Sequence, residues 1–188
     1  MAKNEKGELT ELSGPISFEL KELYNRTIPA EDRKQLASFK LKAVRLLNAL
    51  DAAENIVETM TKKLSQYKEA VKGLRANEAN NMYKEVLALE TKVEQIEILM
   101  NGDSDFNPLD LVQNYALLER AQNALGNIMG STSNIPGMSE RDYKIAADEF
   151  TPLLSDVKNL IILFDNMDEK LGDIGAPLTL GRLPNWGK

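Results

Sequence analysis

The chain has 188 residues, 43% hydrophobic, 28% charged and 6% aromatic, with a formal charge of −6. It has no Cys and no His, which excludes disulfides, thiolate and imidazole metal sites, cysteine nucleophiles and every Ser-His-Asp triad. The acidic balance argues against a nucleic-acid surface, and no apolar run approaches the roughly 18 residues of a membrane span.

Length alone fits one domain able to bury a core without staples. The N-terminus, Met1-Ala2-Lys3-Asn4-Glu5, does not read as a signal peptide. Residues 15–23 alternate apolar and polar: Ile16, Phe18 and Leu20 on one face, Ser17, Glu19 and Lys21 on the other. That period of two predicts a half-buried strand. Nothing else in the chain reads as a strand, so its partners are expected in a longer protein.

From Pro29 the pattern changes. Leu36, Phe39, Ala43, Leu46, Leu50, Ala53, Val57, Met60, Leu64, Tyr67, Val71 and Leu74 step by three and four, a heptad seam. The spacing predicts a helix over about Pro29–Ala76, roughly 70 Å long at 1.5 Å per residue. Pro29 suits the first turn, and Glu31 and Asp32 there suit the positive end of the dipole. Gly73 and Asn77 mark a short reversal, with Asn77 as N-cap of a second helix. Its seam is Met82, Val86, Leu89, Val93, Ile96 and Met100, and Asn101-Gly102 stops it. So short a connection requires these two helices to run antiparallel.

Asn107-Pro108-Leu109-Asp110 reads as the start of a third helix, with Leu118, Ala121, Leu125 and Ile128 as the least regular of the four seams. Gly130 ends it, and Gly130–Gly137 is a polar loop. The fourth helix runs from Ser139-Glu140 to about Ile174 on Tyr143, Ala146, Phe150, Leu153, Val157, Leu160, Phe164, Met167, Leu171 and Ile174. Pro152 inside it should bend it, and Gly172, Gly175 and Pro177 end it. The expected fold is all-α: an antiparallel up-and-down bundle of four helices, the first very long, preceded by a short orphan β-strand segment. Residues 1–26 would be strand and linker, 27–175 the bundle, and 176–188 an extended tail anchored by Trp186. Segment charges fit: +4 over residues 30–76, against −3, −3 and −5 over 77–100, 101–137 and 138–175.

Candidate sites are weak. Asp103-Ser104-Asp105-Phe106-Asn107 imitates a calcium loop, but Pro108 and Asn114 stand where Gly and Glu are needed. Asp148-Glu149, Asp168-Glu169 and Glu94 with Glu97 are paired acids on helix faces that the heptads leave in solvent. Glycosidase chemistry instead needs two acids across a cleft. Lys62, Lys63, Lys68, Lys72 and Arg75 form a basic end that meets acidic neighbours, with an anionic partner as the alternative. No catalytic, cofactor-binding or metal residue is assigned, and no cofactor is expected.

Three stretches carry a resemblance: Leu12-Ser13-Gly14-Pro15-Ile16-Ser17-Phe18, Tyr143-Lys144-Ile145-Ala146-Ala147-Asp148-Glu149-Phe150-Thr151-Pro152-Leu153, and Gly175-Ala176-Pro177-Leu178-Thr179-Leu180-Gly181-Arg182-Leu183-Pro184. With the Asn101-Gly102-Asp103 turn, they resemble the helical region that follows the β-propeller in bacterial sortilin-like proteins. Those proteins carry sialidase-type repeats and are often labelled glycosyl hydrolases. The resemblance implies a non-catalytic accessory domain of a larger exported protein, periplasmic or extracellular, whose chemistry lies in the propeller. It also implies that the strand within residues 1–26 comes from a preceding β-sandwich. Its partners would be other domains of that parent, a protein partner or a second copy. The alternatives are a fragment of a glycoside-hydrolysing enzyme with its catalytic part elsewhere, and a free-standing coiled-coil oligomer.

Overall fold

The computed structural model describes residues 2–3, 9–10, 14–20, 30–103, 115–177, 179 and 181. Strands β1 (Ala2–Lys3) and β2 (Leu9–Thr10) form a two-residue antiparallel ladder, Ala2 opposite Thr10. Four helices follow: α1 (Arg33–Lys72), α2 (Ala76–Asn101), α3 (Leu117–Met129) and α4 (Gly137–Asp173). The protein is a helical bundle.

Helix α1 begins four residues later than Pro29 because Asp32 serves as its N-cap. Asp32 is extended (φ −120°, ψ 99°), and its carboxylate accepts the Gln35 N–H at 2.9 Å. Gly73 closes α1, and α2 starts directly on Arg75 as N-cap, so Asn77 lies inside the helix rather than capping it. Gly102 ends α2 as expected, and its φ of 83° explains why glycine stands there. Asn107–Asp110 lies outside the described residues. Tyr115 and Ala116 are not helical, so α3 begins at Leu117 and is no continuation of a helix through them. Helix α4 continues unbroken through Pro152, whose ring forgoes one backbone hydrogen bond on an exposed face.

The seams of α1, α2 and α4 are the core. Leu50, Val57, Tyr67, Val86, Val93, Met100, Val157, Leu160, Phe164 and Leu171 are all 2% exposed or less. Leu46, Met60 and Phe150 are also buried, while Phe39, Leu74, Tyr143 and Ile174 are half-buried at the ends. In α3 two of the four seam positions, Ala121 and Ile128, are buried as expected, and the other two move back by one residue. Leu117, Ala121, Ala124 and Ile128 are buried, and the expected Leu118 and Leu125 are half-buried. Four close-set alanines (Ala43, Ala121, Ala124 and Ala146) let the helices approach there, since interaxial distance follows side-chain size.

Cross-helix contacts set the directions. Thr61 meets Glu97 and Lys68 meets Glu90, so α2 runs back along α1. Lys40, near the start of α1, reaches the end of α3 at the Met129 carbonyl. Helix α3 therefore continues in the direction of α2. Phe39 packs edge-on against Tyr143 (centroids 5.4 Å apart) and Tyr67 lies against Phe164 (5.6 Å), so α1 and α4 run the same way. This corrects the up-and-down expectation, in which the first and fourth helices would oppose each other. The molecule is a three-rod bundle: α1, α4, and a broken middle rod of α2 then α3. The lengths agree, about 60 Å for 40 residues of α1 against about 39 and 20 Å for α2 and α3.

Residues 21–23 of the predicted strand lie outside the described residues, and the part that is described is not paired as a strand. Residues 14–20 have no strand pairing, and Ile16, Phe18 and Leu20 are 79, 81 and 88% exposed. A period-two pattern supplies one face of a sheet, but a ladder needs a second strand, and the bundle offers helices only. Trp186 lies outside the described residues. The tail that precedes it packs on the bundle, with Ala176 and Thr179 buried.

Candidate functional site

Seam positions on α1 and α4 bring three polar side chains together. Tyr67 is fully buried, and its hydroxyl sits 2.7 Å from Asp168 Oδ1 and 3.1 Å from the Phe164 carbonyl. Lys63, one turn earlier, donates its ammonium to Asp168 Oδ2 and lies 5.7 Å from the Tyr67 ring centroid. The Lys63 and Asp168 side chains are only 15 and 17% exposed. Asp168 is therefore drawn into the α1–α4 seam, which corrects its expected place on a solvated face. The heptad count placed it one residue after the seam Met167, and the reach of Lys63 turns that flank inward.

A second pair lies where α3 meets α4. Asp142 is 5% exposed and stands 3.4 Å from the Arg120 guanidinium, itself within 5.9 Å of the Tyr115 ring. Ser139, one turn earlier on α4, is fully buried, and its hydroxyl has no hydrogen-bond partner among the described residues. The same end is tied through backbone. Ala30 N–H donates to the Thr132 carbonyl and Glu31 N–H to Asn134 Oδ1, both at 2.7 Å. The Lys40 ammonium donates to the Met129 and Ser131 carbonyls at 3.2 and 2.7 Å, a cation on the negative end of α3. Nothing in the periodicity marks these residues, because each partner is distant in sequence.

The basic end of α1 meets acids, as expected. Lys68 pairs with Glu90 of α2 at 2.5 Å, Lys62 with Glu58, and Lys72 with Glu69. The hydrogen bond that Lys68 donates to Glu90, aided by the charge of that carboxylate, raises the Lys68 pKa above the ordinary 10.5. The exposed Lys144 is raised in the same way by Asp148.

The remaining acid pairs do not converge. Asp148 binds Lys144 at 2.8 Å, Glu149 and Glu94 point to solvent, and Glu97 accepts the Thr61 hydroxyl at 2.7 Å. Of the calcium-like loop, only Asp103 lies among the described residues. Among those residues no cluster of three acids is placed to hold a metal ion, and no helix is long and apolar enough to cross a membrane.

A recess of about 380 Å³ lies between Ser65, Gln66, Glu69 and Ala70 of α1 and Pro177 and Thr179, and three others follow one seam. Between α2 and α4 lie cavities of about 400 Å³ (around Ala88, Leu163 and Met167) and 250 Å³ (around Ile96 and Leu160). A third of about 210 Å³ sits at Leu99, Leu117, Pro152 and Leu153. The Lys170–Glu85 pair, 2.5 Å apart, crosses the first of these three. These recesses have an apolar floor and charged rims, and the inward carboxylates of Asp168, Asp142 and Glu90 each face a cation. No family model matches the chain, and no curated protein or solved structure is detectably similar to it.

Proposed function

We propose that this chain is a non-catalytic helical accessory module that acts by packing against other protein surfaces. One observation carries the reading: the acids drawn into helix seams face cations or hydroxyls, not one another. Asp168 faces Lys63 and Tyr67, Asp142 faces Arg120, and Glu90 faces Lys68. Acid–base chemistry between carboxylates requires two of them across a substrate, one with its pKa raised by burial. Each of these three carboxylates is committed to joining two helices.

In this reading residues 1–26 belong with a neighbouring β domain, 27–175 are the module and 176–188 its tail. The exposed Ile16, Phe18 and Leu20 support that division, since they gain no burial from the bundle. The resemblance to the region after the propeller of sortilin-like proteins supplies the parent: an exported β-propeller protein. The burial of the seams within one chain supports a module over a free-standing coiled-coil oligomer.

The test is activity of the pure chain on a panel of aryl glycosides and oligosaccharides. No turnover is expected. Turnover abolished by substitution of a single Asp or Glu would overturn the non-catalytic reading.

A further inference from the structure

A three-rod bundle has three outer seams, and they differ in what crosses them. Across α1–α2 run the Thr61–Glu97 and Lys68–Glu90 contacts. Against the C-terminal half of α1, Pro177 approaches Gly73 and Gly181 lies beside the Lys63 ammonium, and a recess of about 380 Å³ remains between Ser65, Gln66 and Glu69 and the buried Thr179. Among the described residues the α2–α4 seam is crossed by the Lys170–Glu85 pair and otherwise carries a continuous row of recesses. Its three recesses share Lys92 and Leu163, then Leu99 and Asp156, so they form one groove. From Glu149 to Asp173 along α4 it spans roughly 36 Å, about six or seven helical turns.

The groove has a floor and a rim of different chemistry. Leu89, Ile96, Leu160 and Met167 lie at its base, with Ala88 and Leu163 above them. Five carboxylates line it (Glu85, Glu149, Asp156, Glu169 and Asp173) against two lysines, Lys92 and Lys170. Lys170 is already engaged by Glu85, which leaves four acids to one lysine.

We propose that this groove is the docking site for a basic amphipathic helix of a partner protein, which would complete a four-rod bundle. Length, an apolar floor and an acidic rim together specify such a ligand: leucine-type side chains at i, i+3, i+4 and i+7 downward, lysines or arginines outward. Opposite charge at the rim sets orientation and on-rate, while the apolar floor supplies affinity. This proposal rests on the interaction-module reading and names its partner.

The probe is a fluorescein-labelled 24-residue Leu/Lys peptide with that spacing, followed by anisotropy against the full chain. Saturable micromolar binding is expected. It should weaken about tenfold with Ala88→Trp, which fills the groove from an exposed position, and similarly with Asp156→Lys at the rim. Glu58→Lys, the same charge change on exposed α1, should alter it less than about twofold. Circular dichroism melts of the three variants, expected to match the parent chain, show that the fold is kept. Equal losses for Glu58→Lys and Asp156→Lys would reduce the binding to net charge and overturn the proposal. So would indifference to Ala88→Trp, equal binding of a Leu/Glu peptide, or a chain dimer that Ala88→Trp dissolves, the last making a second copy the occupant. None of these outcomes touches the glycoside test, so either reading can fail without the other.

Discussion

The two ends of the bundle are built on different principles. Where α1 meets α2 and the C-terminal half of α4, large side chains fill a regular heptad seam: Val57, Met60, Tyr67, Val86, Val93, Phe164 and Leu171. Where α1 meets α3, Leu36, Leu117 and Ile128 are buried alongside Ala43, Ala121, Ala124 and Ala146, so alanines make up more of the buried set and polar ties supplement it. Lys40, Ala30, Glu31 and the Arg120–Asp142 pair fasten that end through groups 22 to more than a hundred residues apart. The difference teaches that a heptad seam is self-sufficient where side chains are large. A short helix with a small-residue face needs hydrogen bonds from outside itself.

The sharpest way to break this comparison is a cavity at the large end. Phe164→Ala should lower unfolding free energy by about 3–5 kcal/mol in a urea titration, because the aromatic is 2% exposed and packs on Tyr67. A value below about 1 kcal/mol would show that the heptad end is not the tightly packed one.

Next in size is the polar lock. Asp168→Ala strands the Lys63 ammonium, removes one partner of the Tyr67 hydroxyl, which keeps the Phe164 carbonyl, and should cost roughly 2–3 kcal/mol. The double change Lys63→Met with Asp168→Leu should restore most of it, since an apolar pair of similar volume often replaces a buried ion pair without loss. Failure of that rescue would give the lock a role beyond desolvated pairing.

At the small end the expectation inverts. Ala124→Leu should destabilise by about 1–3 kcal/mol through overpacking, while Leu125→Ala should stay within about 1 kcal/mol. The heptad reading of α3 predicts the reverse order, so melting the two variants side by side separates the two seams.

The smallest effect is at high pH. Lys68 has its pKa raised in the folded chain, so its pairing with Glu90 stabilises fully below the unfolded value near 10.5. That contribution disappears as pH climbs through the raised folded value. Lys68→Met should therefore show a flatter fall in melting temperature above pH 10 than the parent chain, with little difference near neutrality. Parallel alkaline limbs would remove Lys68–Glu90 from the forces holding α2.

How much was legible in advance follows from the range of each interaction. The seam of α2 could be read residue by residue from Met82 to Met100, because helical burial is a local periodicity of 3.6 residues. The same was true of Leu46–Val71 and Phe150–Leu171. In α3, Ala121 and Ile128 were read correctly, but Leu118 and Leu125 were taken in place of Leu117 and Ala124, because adjacent apolar residues allow two registers there and only the neighbours select one. Of the groove, sequence showed the acids of α4 but not the row of recesses, which exists because α2 and α3 share one rod.

The sequence by itself thus determined that the chain is helical, where each long helix buries its stripe, and that it lacks the side chains for thiol and imidazole chemistry. Only the tertiary structure decided that α3 continues α2, that α1 and α4 are parallel, and that Asp168 leaves solvent for Lys63 and Tyr67. The physical reason is that amphipathicity states which face of a helix must be buried and is silent about direction. A stripe of leucines packs as well against a helix running up as against one running down, so direction is settled by loop reach and by specific polar contacts between residues far apart in the chain.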